Sequence, residues 1–141
     1  LQEEVAIARW GDSSYLNQTG EVIKPMTAAV NKSLPTLNGP NGSQIEVMRQ
    51  YQKLNQLLSP EGLRLTELDY SKRGSWELTL NNTIHVSAGK VDVFENITRL
   101  VTFITNRAEI DMADIASVDL RYGNGFAVKT VEQELSGVAV R

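Results

Sequence analysis

The sequence has no cysteine, which excludes disulfides, thiolate metal sites and thiol nucleophiles together. It has a single histidine, His85, whereas a metal centre generally needs several nitrogen, oxygen or sulfur ligands converging on one point. No Gly-x-Ser-x-Gly elbow surrounds any serine, so the local mark of an α/β-hydrolase nucleophile is missing. No apolar run approaches the roughly 20 residues that span a bilayer. The amino end, Leu1-Gln2-Glu3-Glu4, has neither the basic start nor the apolar block of a signal peptide. Positive charge is not in excess: 14 Lys and Arg stand against 17 Asp and Glu, a net charge of −3, with both signs mixed along the chain. Without a basic stripe interleaved with aromatics, nucleic acid is not an expected partner. No catalytic, metal or cofactor residues are expected.

What is present is 141 residues, 41% of them hydrophobic, enough for one domain with a real core. The start without Met suggests a piece of a longer protein. Asn-x-Ser/Thr triplets begin at Asn17, Asn31, Asn41, Asn81 and Asn96, and chance produces such short motifs readily.

Hydrophobic periodicity divides the chain. Residues 5–10 are extended in character, and residues 15–23 read as a short hairpin turning at Gln18-Thr19-Gly20. Residues 24–42 hold three of the four prolines and read as loop, with an extended piece at Thr36-Leu37. Ser43-Gln44-Ile45-Glu46 fits a capping box, and Val47, Tyr51, Leu54 and Leu58 give the helix after it one apolar face. Ser59-Pro60-Glu61-Gly62 stops that helix. Leu63, Leu65 and Leu68 alternate with polar residues except for one slipped step. Lys72-Arg73-Gly74 turns the chain, and Trp76, Leu78 and Leu80 alternate strictly, which puts the Trp on the buried face. Asn81-Asn82 makes a hairpin loop. His85 follows on the polar face, its neighbours Ile84 and Val86 pointing the other way. Asp92-Val93-Phe94-Glu95 resembles a second capping signal, before a stripe of Phe94, Ile97, Leu100, Val101 and Ile104. The helix is expected to end near Ala108.

Residues 117–122 alternate again, Gly123-Asn124-Gly125 can reverse the chain, and Phe126-Ala127-Val128 resumes an extended run. A strand arriving last often lies at a sheet edge, where backbone groups can receive another chain. The expected fold is therefore α+β: a mainly antiparallel, twisted sheet with two principal helices packed on one side.

Phosphate and acid–base chemistry fit poorly. Gly39-Pro40-Asn41-Gly42-Ser43 precedes a helix but lacks the lysine and spacing of a phosphate loop. Asp111 and Asp114, like Glu3 and Glu4, read as solvated loop charges.

Several motifs fall in one register: Ala8-Arg9-Trp10, Leu34-Pro35-x-Leu37-x-Gly39-Pro40-x-Gly42, Arg73-x-Ser75-Trp76-x-Leu78-x-Leu80, Gly89 and Asp119-Leu120-Arg121-Tyr122. Together they resemble the carboxyl-terminal β domain of the bacterial cell-division family FtsQ/DivIB, over about Val5 to Val128. The resemblance implies residues 1–9 as the tail end of a POTRA domain, residues 10–131 as the β domain and residues 132–141 as a flexible tail. It implies a longer protein anchored by one membrane helix, with this soluble part in the periplasm at the division septum. It implies a scaffold and not an enzyme, binding FtsB and FtsL and connected through them to FtsW and FtsI. The implied FtsB site is the last strand region, joined by β-augmentation: Tyr122 as an aromatic contact, Gly125, Phe126, Ala127, Val128, Lys129 and Thr130 as pairing backbone, and Arg73 and Arg121 facing acidic partner residues. The chain departs from the family in carrying Gly74 after Arg73 before Ser-Trp, and Lys129-Thr130 where an aromatic Trp ends the last strand. Two other readings stand beside this one: an accessory domain of an outer-membrane assembly or translocation protein, and a cell-wall hydrolase using paired acids.

Overall fold

Period-two alternation builds one layer of the domain and helical stripes build the other. The computed structural model describes residues 5–23, 33–106, 111–121 and 127–132. Nine strands form one sheet: β1 (Ala8–Trp10), β2 (Ser14–Leu16), β3 (Val22–Ile23), β4 (Thr36–Asn38), β5 (Leu65–Tyr70), β6 (Trp76–Leu80), β7 (Ile84–Gly89), β8 (Ile115–Asp119) and β9 (Ala127–Thr130). Their spatial order is β3-β2-β1-β4-β5-β6-β7-β8-β9. Helix α1 (Gln44–Leu58) lies between β4 and β5, and α2 (Val93–Thr105) between β7 and β8.

The α+β expectation holds, but the sheet is mixed. β1–β2, β2–β3, β5–β6, β6–β7 and β8–β9 are antiparallel, whereas β1–β4, β4–β5 and β7–β8 are parallel. Parallel neighbours need a crossover, and the two helices supply it for β4–β5 and β7–β8.

One face of the sheet is buried. Leu65, Leu68, Trp76, Leu78, Leu80, Ile84, Val86, Ala88, Ile115, Val118 and Leu120 pack against Val47, Met48, Leu54 and Leu58 of α1 and Val93, Ile97, Leu100 and Val101 of α2. The slipped step is a β-bulge between Leu65 and Glu67, which returns Leu65 and Leu68 to one face despite their odd spacing. Trp76 stacks on Tyr70 with ring centroids 4.1 Å apart. Asn81 and Asn82 both take positive φ, 53° and 65°, and the Thr83 N–H returns to the Leu80 carbonyl at 3.1 Å.

Three local expectations fail. Ser43 makes no cap to the helix; its hydroxyl donates back to the Pro40 carbonyl at 2.6 Å. Asp92 sits at φ 55°, ψ 41°, left-handed, and its carboxylate caps nothing. A cap is worth about 1 kcal/mol, and each fully buried Leu or Ile about 1.5–3 kcal/mol, so packing of the stripes fixes both helices. The strand expected over residues 117–122 begins two residues earlier and stops at Asp119. Residues 122–126 and 133–141 lie outside the described residues.

Candidate partner-binding edge and basic groove

β9 ends the sheet order, with β8 as its neighbour. Its Val128 and Thr130 are half-buried, and Ala127 and Lys129 exposed. Val128 packs on the core, so the sheet's apolar face continues to this edge.

The direction of the β9 backbone follows from one bond on the far side of β8. The Leu120 N–H donates to the Ser87 carbonyl on β7 at 2.8 Å. Backbone groups alternate along a strand, so Val118 also points to β7, and Ser117 and Asp119 point to β9. Their partners Lys129 and Ala127 therefore face β8. Val128, opposite Val118, turns its N–H and C=O to the outer edge.

Arg73 and Arg121, 48 residues apart, line one groove of about 530 Å³ at the end of the sheet where the β5–β6 turn, the end of β7 and the end of β8 meet. Lys90 and Arg99 line it too, with Asp92 the one acid among the described lining residues. Arg99 donates to Asn96 Oδ1 at 2.7 Å. Sequence reasoning missed Lys90 and Arg99. The available signal was that Arg99 falls outside the apolar stripe of α2 while Lys90 directly follows Gly89 at the end of β7.

Arg121 is clamped by Asp119. Its Nε donates to Oδ1 at 2.8 Å and its Nη2 to Oδ2 at 2.6 Å. These bonds hold the Asp119 carboxyl below the usual aspartate range. Leu120 is 1% exposed and serves the core. Tyr122, Gly125 and Phe126 lie outside the described residues, so of the expected site Arg73, Arg121, Ala127, Val128, Lys129 and Thr130 are placed.

The opposite, polar face of the sheet carries a second groove, of about 520 Å³, whose lining includes Arg9, Arg64, Glu67, Thr79 and His85. His85 is exposed, 3.5 Å from the Thr79 hydroxyl. Burial pushes the Glu67 carboxyl up, helped by the charge of Asp69 and a hydrogen bond with it. Glu67 Oε2 and Asp69 Oδ1 both accept from the Asn38 side-chain amide nitrogen, at 3.5 and 2.5 Å. Among the described residues no three His, Asp or Glu side chains could hold a metal ion, and no helix is long and apolar enough to cross a membrane.

The family model described as cell division protein FtsQ/DivIB, C-terminal, matches residues 8–121. The chain is 38% identical over 132 residues to the cell division protein FtsQ of Cellvibrio japonicus, an alignment covering 94% of this chain and 41% of that protein. It is 36% identical over 132 residues to FtsQ of Escherichia coli K12, covering 91% and 48%. With FtsQ of Coxiella burnetii the identity is 31% over 129 residues, covering 92% and 53%. The chain thus spans about half the length of these curated relatives.

Proposed function

Because the chain belongs to the FtsQ/DivIB family of cell-division proteins, we propose that it is a non-enzymatic scaffold domain of the divisome that binds FtsB, and FtsL with it, by β-augmentation on β9. The full-length protein is placed by this reading at the septum, anchored by one membrane helix with this domain in the periplasm. The observation that supports it best is the juxtaposition of a terminal strand, whose Val128 backbone turns outward, with a groove holding Arg73, Lys90, Arg99 and Arg121. In this reading a strand of FtsB takes the outer edge of β9, and acidic residues flanking it meet the arginines. Backbone pairing supplies affinity, and the side chains beside it supply register.

Titration of the domain with the FtsB periplasmic segment tests the reading. Val128→Pro removes an outward donor and no bond to β8, so binding should be lost with circular dichroism near wild type and a melting temperature lowered only by the lost packing of the half-buried side chain, less than in Lys129→Pro. Lys129→Pro breaks a β8–β9 rung instead and should lower the melting temperature. Arg73→Glu and Arg121→Glu should each weaken binding about tenfold at low salt, less at high salt. Undiminished affinity in Val128→Pro would refute the edge; undiminished affinity in both charge reversals would refute the groove.

A further inference from the structure

Arg121 makes three hydrogen bonds to one carboxylate. Besides the fork from Nε and Nη2, its backbone N–H donates to Asp119 Oδ1 at 3.0 Å. The stem of the arginine is confined as well: a Cβ added at Gly89 would lie 3.3 Å from Arg121 Cγ, so the chain end of β8 runs close over a residue with no side chain. Yet the Arg121 side chain is 62% exposed and that of Asp119 23%. An ion pair this exposed adds about 0–1 kcal/mol to stability. What the clamp does accomplish is to help hold a guanidinium, a group whose side chain carries about 2 kcal/mol of rotamer entropy when unrestrained, at the rim of a groove lined by three further cations.

Resting on the reading above, we propose that Asp119 is a positioning residue: it presets the Arg121 guanidinium to receive a carboxylate of an acidic partner segment, so that ordering the arginine is not charged to binding. Asp119 acts through Arg121 and touches no partner itself. The side-on fork occupies Nε and one side of Nη2 and sets the plane in which a second carboxylate must approach.

The substitutions Asp119→Asn and Asp119→Ala separate the parts of the clamp. An asparagine Oδ1 can still accept from the backbone N–H and Nε, but its amide nitrogen cannot accept from Nη2; alanine removes all three bonds. Binding is measured at about 0.3 M salt, where deleting one negative charge hardly changes long-range attraction. Two probes are used: the FtsB segment, and hexaglutamate followed through the Arg121 Nε–H resonance of labelled domain. Asp119→Asn should weaken binding about threefold and Asp119→Ala about tenfold. The Arg121 Nε–H signal should broaden in both, with backbone resonances of β6 and β7 and the melting temperature unchanged. Adding Asp119→Ala to Arg121→Gln should cost nothing more than Arg121→Gln alone. Wild-type or tighter binding by Asp119→Ala would overturn the inference, tighter binding marking Asp119 as a competitor. An undiminished extra penalty in the double variant would overturn it too. If wild type ignores FtsB, the scaffold reading fails, and the hexaglutamate titration still decides the role of Asp119.

Discussion

Glu67 is, among the described residues, a carboxyl whose pKa its surroundings raise. Partial burial, the Asp69 charge and a hydrogen bond that the protonated Glu67 donates to that carboxylate all raise its pKa above the ordinary 4.5, against a smaller pull from His85. A carboxyl whose folded pKa is raised holds its proton more tightly in the folded than in the unfolded protein. The stabilising contribution of that proton is complete below about pH 4.5 and is lost as pH rises through the raised value. Above the raised value Glu67 is ionised at a cost that Glu67→Gln removes. The variant should therefore be more stable than wild type at pH 7, by under about 1 kcal/mol because solvent screens the site. The gap should narrow as pH falls below 4.5, and equal gaps at pH 7 and pH 4 by thermal unfolding would contradict the assignment. At this scale the sequence is legible where one period decides the matter: His85 does face the polar side, and Trp76 the core. It misleads at Ser43 and Asp92, because a capping motif is a pattern of residue types while a cap bond depends on φ and ψ that the sequence does not state. The approach of Glu67 to Asp69 and Asn38 was hidden by the bulge two residues earlier and by a strand pairing, β4 with β5, that is not local.

The turn between β2 and β3 shows how an element is fixed from outside itself. Asn17 Oδ1 accepts from the Thr19 N–H, the Thr19 hydroxyl and the Glu21 N–H, which closes the turn locally. Gly20 then takes φ +89°, and a Cβ there would lie 2.8 Å from the Ile45 Cα and 3.2 Å from the Gln44 carbonyl oxygen. The hairpin is thus pressed on the first turn of α1, and the obstacle is backbone that cannot swing aside. Gly20→Ala combines left-handed strain of about 1–2 kcal/mol with overpacking of about 1–3 kcal/mol. Gly62 has φ +76° with nothing within 4 Å of a would-be Cβ, so Gly62→Ala carries the strain alone. Urea unfolding should show Gly20→Ala losing about 2–5 kcal/mol and Gly62→Ala about 1–2 kcal/mol; equal losses would mean that the α1 contact is unimportant. The sequence located this turn but not what it touches. Likewise it read Thr36-Leu37 as a brief extended piece in a proline-rich loop, although β4 is a central strand with parallel neighbours on both sides. Short parallel strands leave little local pattern, since their partners arrive through crossovers.

For the whole molecule the consequence of the strand order is two unlike edges. Among the described residues one face of the sheet lies under α1 and α2 and the other is polar, and the strand order ends at β3 and β9, where a further strand could add. β3 is two residues long, and short edges are a common protection against unwanted pairing. β9 is four residues long, keeps the core-side alternation and lies at the same end of the sheet order as Arg121. That last strand was legible in the sequence; that Arg73, Lys90, Arg99 and Arg121 share one groove was not, because it depends on where a turn, a strand end and a helix face meet. Hydrogen exchange can read the asymmetry residue by residue. In the domain alone, the amide of Val128 should exchange quickly and those of Ala127 and Lys129, directed at β8, more slowly, since protection follows hydrogen bonding. Addition of a strand-forming partner should slow Val128 selectively by an order of magnitude or more, leave Ala127 and Lys129 changed only modestly, and leave Val22 and Ile23 as they were. Protection of β3 on binding, or an amide at Val128 already as slow as its neighbours in the isolated domain, would mean that the outer flank of β9 is not where a partner strand adds.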